Sequence, residues 1–290
     1  MTGAAGQRAG MVTRFAPSPT GPLHLGHAYA AILAHDMARA AGGRFLLRIE
    51  DIDRQRSKPR WEAQLIDDLR WLGLSWDGPV LRQSDRLPEY RAALADLWAR
   101  GLLYRCSCTR RDIEAAVSAP QEGAEPAHGP DGLIYPGTCR AAGAPRPGEP
   151  LPDAVLRLRM DRAACSCGFD EIGPRHAGHH RITPEEMIAT VGDVVLARRE
   201  MGTSYHLSVV LDDAAQGVTH VTRGEDLFDA TRIHVTLQHL LGLPVPVYCH
   251  HPLIRDENGK RLAKRDDARA LSLFRAEGAS PADIRRMVGL

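Results

Sequence analysis

The chain has 290 residues, 43% of them hydrophobic and 25% charged, with a formal net charge of +1. That is enough chain for one large domain or two modest ones around a real core. It excludes a disulfide-stapled miniprotein, a coiled coil and an intrinsically disordered chain. The near-neutral balance also excludes nucleic-acid binding by bulk charge, so such a partner would need a local basic patch.

Lysine occurs only at Lys58, Lys260 and Lys264 among 37 basic residues. A genome rich in arginine codons explains the bias. Two of the three nonetheless fall close together, and that placement points to a compact point charge wanted there. No apolar run approaches the roughly 20 residues of a membrane span, and residues Met1 to Gly10 lack the apolar core of a signal peptide. A cytoplasmic protein with no membrane partner is expected. In that compartment the six cysteines, with Cys-Ser-Cys at 106–108 and again at 165–167, point to metal rather than disulfides.

Residues 1–10 read as a disordered leader. Met11 to Ala16 predicts a short buried strand, followed by the turn Pro17-Ser18-Pro19-Thr20-Gly21-Pro22. Leu23 to Ala41 is Ala-rich and helical, stopped by Gly42-Gly43, and Phe45 to Ile49 reads as the next strand. Strand, turn, helix and strand make a βαβ unit, which requires a parallel sheet and a right-handed crossover. Helices follow behind Pro59 and from about Leu87 to Arg100, stopped by Gly73 and Gly101. Residues 118–132 and 141–153 are rich in Pro, Gly and Ala and read as loops.

Strand-like runs recur at Ala154–Met160, Val191–Ala197, Leu207–Leu211 and Val218–Thr222. A helix is predicted from about Asp229 to Leu241, and a last short one behind Ser280-Pro281. Because strands resume after residue 190, the cysteine-bearing middle reads as an insertion in a split α/β domain. The expected division is 11–100 and 191–250 for the two halves, 101–190 for the insertion and 251–290 for a closing segment.

His24-Leu25-Gly26-His27 opens a helix directly after a strand and a Pro-rich turn. That is a place to hold polyphosphate. A helix N-terminus offers N–H groups and partial positive charge, Gly26 lets a nucleotide lie close to the backbone, and imidazoles donate to phosphate oxygens as charge builds. Two ordinary capping histidines are the bland alternative.

Arg14-Phe15-Ala16-Pro17-Ser18-Pro19-Thr20-Gly21, together with His24-Leu25-Gly26-His27, resembles the signature of class I glutamyl-tRNA synthetases. In the same order, residues 48–53, 221–227 and 261–265 resemble that family's second strand, its later substrate-binding strand and its KMSKS loop. Arg261 and Ala263 depart from the loop pattern, while Lys264 keeps its second lysine and Lys260 lies just upstream.

The resemblance implies a Rossmann-type α/β catalytic domain with an inserted zinc-bearing α+β subdomain. It implies that L-glutamate is activated with ATP and Mg²⁺ to glutamyl-adenylate. It places His24, Gly26, His27 and Lys264 on ATP, with both histidines and Lys264 stabilising the pentavalent phosphate and the departing pyrophosphate. Arg14 and Arg223 would meet the carboxylates of glutamate, Glu50 its ammonium, and Tyr205 would line the site. Phe15, Ala16, Pro17 and Ser18 would form the contact strip. Cys106, Cys108, Tyr135 and Cys139 would hold one structural Zn²⁺, where the residues' own chemistry leaves His128 or water open as the fourth ligand.

Family members carry a long C-terminal region that reads the anticodon, and this chain ends at Leu290. The shorter plan implies a paralogue that activates glutamate without tRNA and attaches it to queuosine in tRNA(Asp). The alternatives are a truncated core that charges a tRNA 3′ end and a non-catalytic zinc-bearing RNA-binding paralogue. The intact His24, His27 and Lys264 argue against the last. A monomer is expected. Cys165 and Cys167, with His176, His179 and His180, have ligand-like content outside the resemblance and read as unliganded, and Cys249 reads as a buried structural thiol.

Overall fold

The computed structural model describes residues 10–117, 127–254 and 269–290. β1 (Val12–Phe15), α1 (Leu25–Ala40) and β2 (Arg44–Ile49) form the expected βαβ unit. The two strands are parallel, with Val12 opposite Arg44 and Phe15 opposite Leu47. All four side chains of β1 are buried, so the strand shows no polar alternation. α1 buries Ala28, Ala31, Ala34 and Ala38, whose small side chains let the helix lie close on the strands. α2 (Pro59–Trp71) adds Leu65 and Leu69 to the same core and leads to β3 (Leu81–Arg82), parallel to β2.

α3 (Leu87–Ala99) runs as predicted and precedes β4 (Leu103–Arg105) and α4 (Arg110–Val117). A small hairpin follows, β5 (His128–Gly129) with β6 (Gly132–Leu133), then β7 (Leu156–Leu158) and α5 (Met160–Ala163). β8 (Cys167–Glu171), β9 (Gly178–Ile182), α6 (Pro184–Thr190) and β10 (Val195–Ala197) complete the middle of the chain. β10, β7 and β4 form an antiparallel sheet in that order.

The run at Leu207–Leu211 is not a strand. It lies inside α7 (Tyr205–Ala215), capped by the Ser204 side chain, which accepts from Leu207 N. His206, Leu207, Ser208, Val209, Val210, Asp212 and Asp213 are all buried. A helix covered on nearly every face loses the 3.6-residue apolar period, and its adjacent valines then mimic a strand.

β11 (His220–Gly224), α8 (Thr231–Leu241) and β12 (Val247–His251) follow, then α9 (Leu271–Ala276) and α10 (Pro281–Val288). The Ser280 side chain caps α10 in a full capping box with Asp283. β11, β12 and β8 are parallel neighbours, with β9 antiparallel at the edge. Thr219 N donates to Val12 O at 3.0 Å, and Val12 N to Thr219 Oγ1 at 2.8 Å. These bonds set β11 beside β1, so Arg14–Phe15 and Arg223–Gly224 end their strands on one side of the molecule. Ligands of such sheets bind outside the carboxyl ends of the strands. Among the described residues, no helix is long and apolar enough to cross a membrane.

Candidate active site

A cavity of about 510 Å³ opens at those strand ends. Its lining brings together Arg14, Phe15, Ala16, Pro17, Ser18, His24, Gly26, His27, Glu50, Tyr205 and Arg223. Expected residues up to 209 positions apart in the chain thus share one wall; Thr222 and Asp226 join them from the segment 221–227, and His251 and Leu253 join without having been singled out in the sequence. Lys264, with Lys260, Arg261 and Ala263, lies outside the described residues.

His24 is the N-cap of α1 and its Nδ1 accepts from Gly26 N at 3.1 Å. His27 Nδ1 accepts from His24 N at 3.2 Å, and the two ring centroids lie 3.8 Å apart. Both rings therefore cap the helix, as the bland reading requires. Capping uses Nδ1 of each ring, so the proton of each neutral imidazole sits on Nε2 as a separate donor.

Four charged side chains interlock beneath the contact strip. Asp213 Oδ1 accepts from Arg14 Nε at 2.9 Å and from Arg48 Nη1 at 2.6 Å. Arg48 Nη2 donates to Glu50 Oε1 at 3.1 Å, and Arg14 Nη1 to Thr222 O at 3.2 Å. Burial pushes the Asp213 carboxyl up, but the Arg14 and Arg48 charges outweigh it and hold the group below its ordinary value. For Glu50 burial wins, and its carboxyl is raised despite Arg48 and Arg14. Tyr205 begins α7, with its ring 5.5 Å from those of His206 and His234, and burial raises its hydroxyl as well.

Arg223 is buried and held on three sides. Nε donates to His250 Nε2 at 3.1 Å, Nη1 to His234 Nδ1 at 2.9 Å and Nη2 to Thr231 Oγ1 at 2.6 Å. Burial and the Arg223 charge depress both imidazoles, His234 well below its ordinary value and His250 to about 4, the latter against the pull of Glu171. Sequence reasoning passed over these histidines. The available signal was Cys249-His250-His251 inside an otherwise apolar strand, since buried polar groups require partners.

A second cluster lies away from the cavity. The Sγ atoms of Cys106, Cys108 and Cys139 fall within 4.8 Å of one another. Tyr135 Oη is 3.5 Å from Cys106 Sγ, 3.2 Å from Cys108 Sγ and 2.9 Å from Cys139 N. Tetrahedral zinc at ordinary bond lengths spaces its sulfur and oxygen ligands about 3.5–3.8 Å apart, which these four atoms approximate. His128 is exposed and pairs within the hairpin with Leu133. Among the described residues, the second Cys-Ser-Cys set forms no such group. His179 bonds Asp170 at 2.7 Å, and His180 Nε2 bonds His176 O at 2.6 Å. Cys249 is buried on β12.

Residues 10–290 match the family model described as tRNA synthetases class I (E and Q), catalytic domain. The chain belongs to this synthetase family. A glutamyl-Q tRNA(Asp) synthetase of Rhodobacter capsulatus is 79% identical to it over 280 residues, covering 97% of this chain and 100% of its own length. A protein of the same name from Nocardia farcinica is 46% identical, over 93% of this chain and 81% of its own. The solved glutamate tRNA ligase of Elizabethkingia meningosepticum, in complex with its amino acid, superposes with a TM-score of 0.76 at 26% identity. That match takes in 97% of this synthetase and 60% of the solved chain. The mixed α/β sheets are thus those of a class I synthetase catalytic domain. Such synthetases are ATP-using ligases, and the family implies glutamate, ATP and tRNA as partners.

Proposed function

We propose that this synthetase activates L-glutamate with ATP, without tRNA, and transfers it to queuosine in tRNA(Asp). The observation that carries the reading is one cavity in which two imidazoles at a helix N-terminus face two buried arginines. The first pair suits phosphate. The second suits the carboxylates of a dicarboxylic amino acid, because guanidinium binds carboxylate as a fork. The 79% identity to a glutamyl-Q tRNA(Asp) synthetase supports the choice of acceptor.

A carboxylate does not acylate a hydroxyl until it becomes a mixed anhydride. In the proposed reaction a glutamate α-carboxylate oxygen attacks the α-phosphorus of ATP, and the bond to pyrophosphate breaks. A hydroxyl of the queuosine cyclopentenediol then attacks the acyl carbon, and AMP leaves. The protein's part is positioning and charge stabilisation. Arg14 and Arg223 hold carboxylates, Glu50 faces the ammonium and Tyr205 closes the wall. Phe15, Ala16, Pro17 and Ser18 form the strip along the substrate. Gly26 admits the nucleotide, which carries Mg²⁺. His24, His27 and Lys264 meet the charge that builds on the phosphates.

We further read Cys106, Cys108, Tyr135 and Cys139 as the ligands of one structural zinc in an inserted segment within 101–190, and the protein as a cytoplasmic monomer. Labelled glutamate supplies the test of function. Label is expected in tRNA(Asp) that contains queuosine, on the anticodon fragment after nuclease digestion. Transfer to the 3′ end of tRNA(Glu), with none to queuosine, overturns the reading.

A further inference from the structure

Arg14 and Arg223 face the same cavity but are held in different ways. Arg14 Nε donates to a carboxylate, Asp213 Oδ1, at 2.9 Å. The three acceptors on Arg223 are His250 Nε2, His234 Nδ1 and Thr231 Oγ1. Among the described residues, no carboxylate bonds it.

The state of those acceptors follows from the donor. A guanidinium offers only N–H groups and keeps its charge, so the ring nitrogen facing it accepts, and a ring that accepts at one nitrogen is neutral. His250 then carries its proton on Nδ1, which donates to Glu171 Oε2 at 2.5 Å. His234 carries its proton on Nε2, which donates to His206 Nδ1 at 3.1 Å, and His206 Nε2 in turn donates to Asp131 Oδ1 at 3.3 Å. Glu171 and Asp131 thus connect to Arg223 only through imidazole rings. The rings fix the plane of the guanidinium without neutralising it. Three of its five N–H groups are used, and one remains on each of Nη1 and Nη2.

We propose that His234, His250 and Thr231 are positioning residues that aim the remaining N–H groups of Arg223 at the cavity with their charge uncompensated, and that this arrangement selects a substrate carboxylate, glutamate, over its isosteric amide, glutamine. The inference rests on the reading of Arg223 as a glutamate-binding residue. A carboxylate accepts from both N–H groups and answers the charge. An amide presents one oxygen and one –NH₂, which meets a donor with a donor. If an anion already neutralised Arg223, the advantage of the carboxylate would shrink.

Charge and shape can be separated by paired substitutions. His234→Asn sets a neutral oxygen near the Nδ1 position, and His234→Asp sets a charged one there at nearly equal volume. Thr231→Asn and Thr231→Asp repeat the pair at the start of α8, on a different nitrogen of Arg223. Glutamate and glutamine activation are followed by ATP–pyrophosphate exchange, with the KM for ATP and the melting temperature as controls on folding. Each Asn variant, which keeps a neutral acceptor for Arg223, is expected to raise the glutamate KM several-fold less than its Asp counterpart and to keep the preference over glutamine. Each Asp variant is expected to raise the glutamate KM about tenfold or more with kcat nearly unchanged, and to cut the preference over glutamine by a similar factor. Equal behaviour of Asn and Asp at both positions would mean that these residues only pack, and would overturn the inference. An Arg223→Gln variant separates the two levels: an unchanged glutamate KM there sinks the assignment of Arg223 itself.

Discussion

Asp213 Oδ1 accepts from Arg14 Nε at 2.9 Å across 199 residues of sequence, and from Arg48 Nη1 at 2.6 Å. One carboxylate on α7 therefore holds two buried guanidiniums, one on each of β1 and β2, and ties that helix to both strands. Removing it strands both cations out of water, and breaking a buried pair in this way costs about 3–5 kcal/mol. Asp213→Ala is expected to lower the unfolding free energy, measured by urea titration, by that amount and to raise the glutamate KM in the fraction that folds. An unfolding free energy within about 0.5 kcal/mol of the parent would show that the contact carries no weight.

Arg14→Ala has a different expected signature. Asp213 keeps Arg48 as its partner, so the variant retains a paired carboxylate and its fold. What it loses is a guanidinium at the cavity wall. Glutamate-dependent ATP–pyrophosphate exchange is expected to fall at least about 100-fold, the upper range for a hydrogen bond to a charged group. Arg14→Lys is not expected to restore it, because an ammonium cannot bond Asp213 and a substrate carboxylate in one plane. Near-normal exchange in Arg14→Ala would remove that residue from the glutamate site.

The β1–turn–α1–β2 unit was legible in the sequence because its signals are contiguous. A buried run, a Pro/Gly turn and an Ala-rich helix follow one another within residues 11–49. The cavity wall from Arg14 to His27 came with it. The support for Arg223 was not legible, because its partners come from α8 and β12 and theirs from β8 and α7. Each such histidine alone is an ordinary residue, and only the fold sets them nitrogen to nitrogen. α7 was misread for a related reason. Its polar residues Asp212 and Asp213 point inward to arginines, so polarity no longer marks the solvent side.

Metal analysis tests the cysteine cluster. One zinc per chain is expected, lost in Cys139→Ala, and chelation is expected to lower the melting temperature because binding energy at a structural site is folding energy. The cavity shares no residue with the cluster, so glutamate activation below the melting temperature should persist. Two zincs per chain would bring Cys165 and Cys167 back as ligands. No zinc would leave Tyr135 and the three thiols as a hydrogen-bonded packing cluster.

Asp68 offers a test by pH. It is buried in the last turn of α2, and its Oδ2 has no hydrogen-bond partner. Burial, with a further push from the Asp67 charge, raises its carboxyl from an ordinary 3.8 to about 6, against a small opposing pull from Arg275. Its position at the negative end of the helix dipole acts in the same direction. The folded state therefore holds the proton more tightly than the unfolded state does. Between pH 3.8 and about 6 stability falls as pH rises, and above that window the full cost remains. A displacement of about two pH units is worth roughly 3 kcal/mol at most. Asp68→Asn mimics the protonated group. It is expected to stabilise the protein by about 1–3 kcal/mol at pH 8, and by about half as much at pH 5, in urea titrations at the two pH values. A gain that is the same at both would show that Asp68 carries no buried charge in the folded protein.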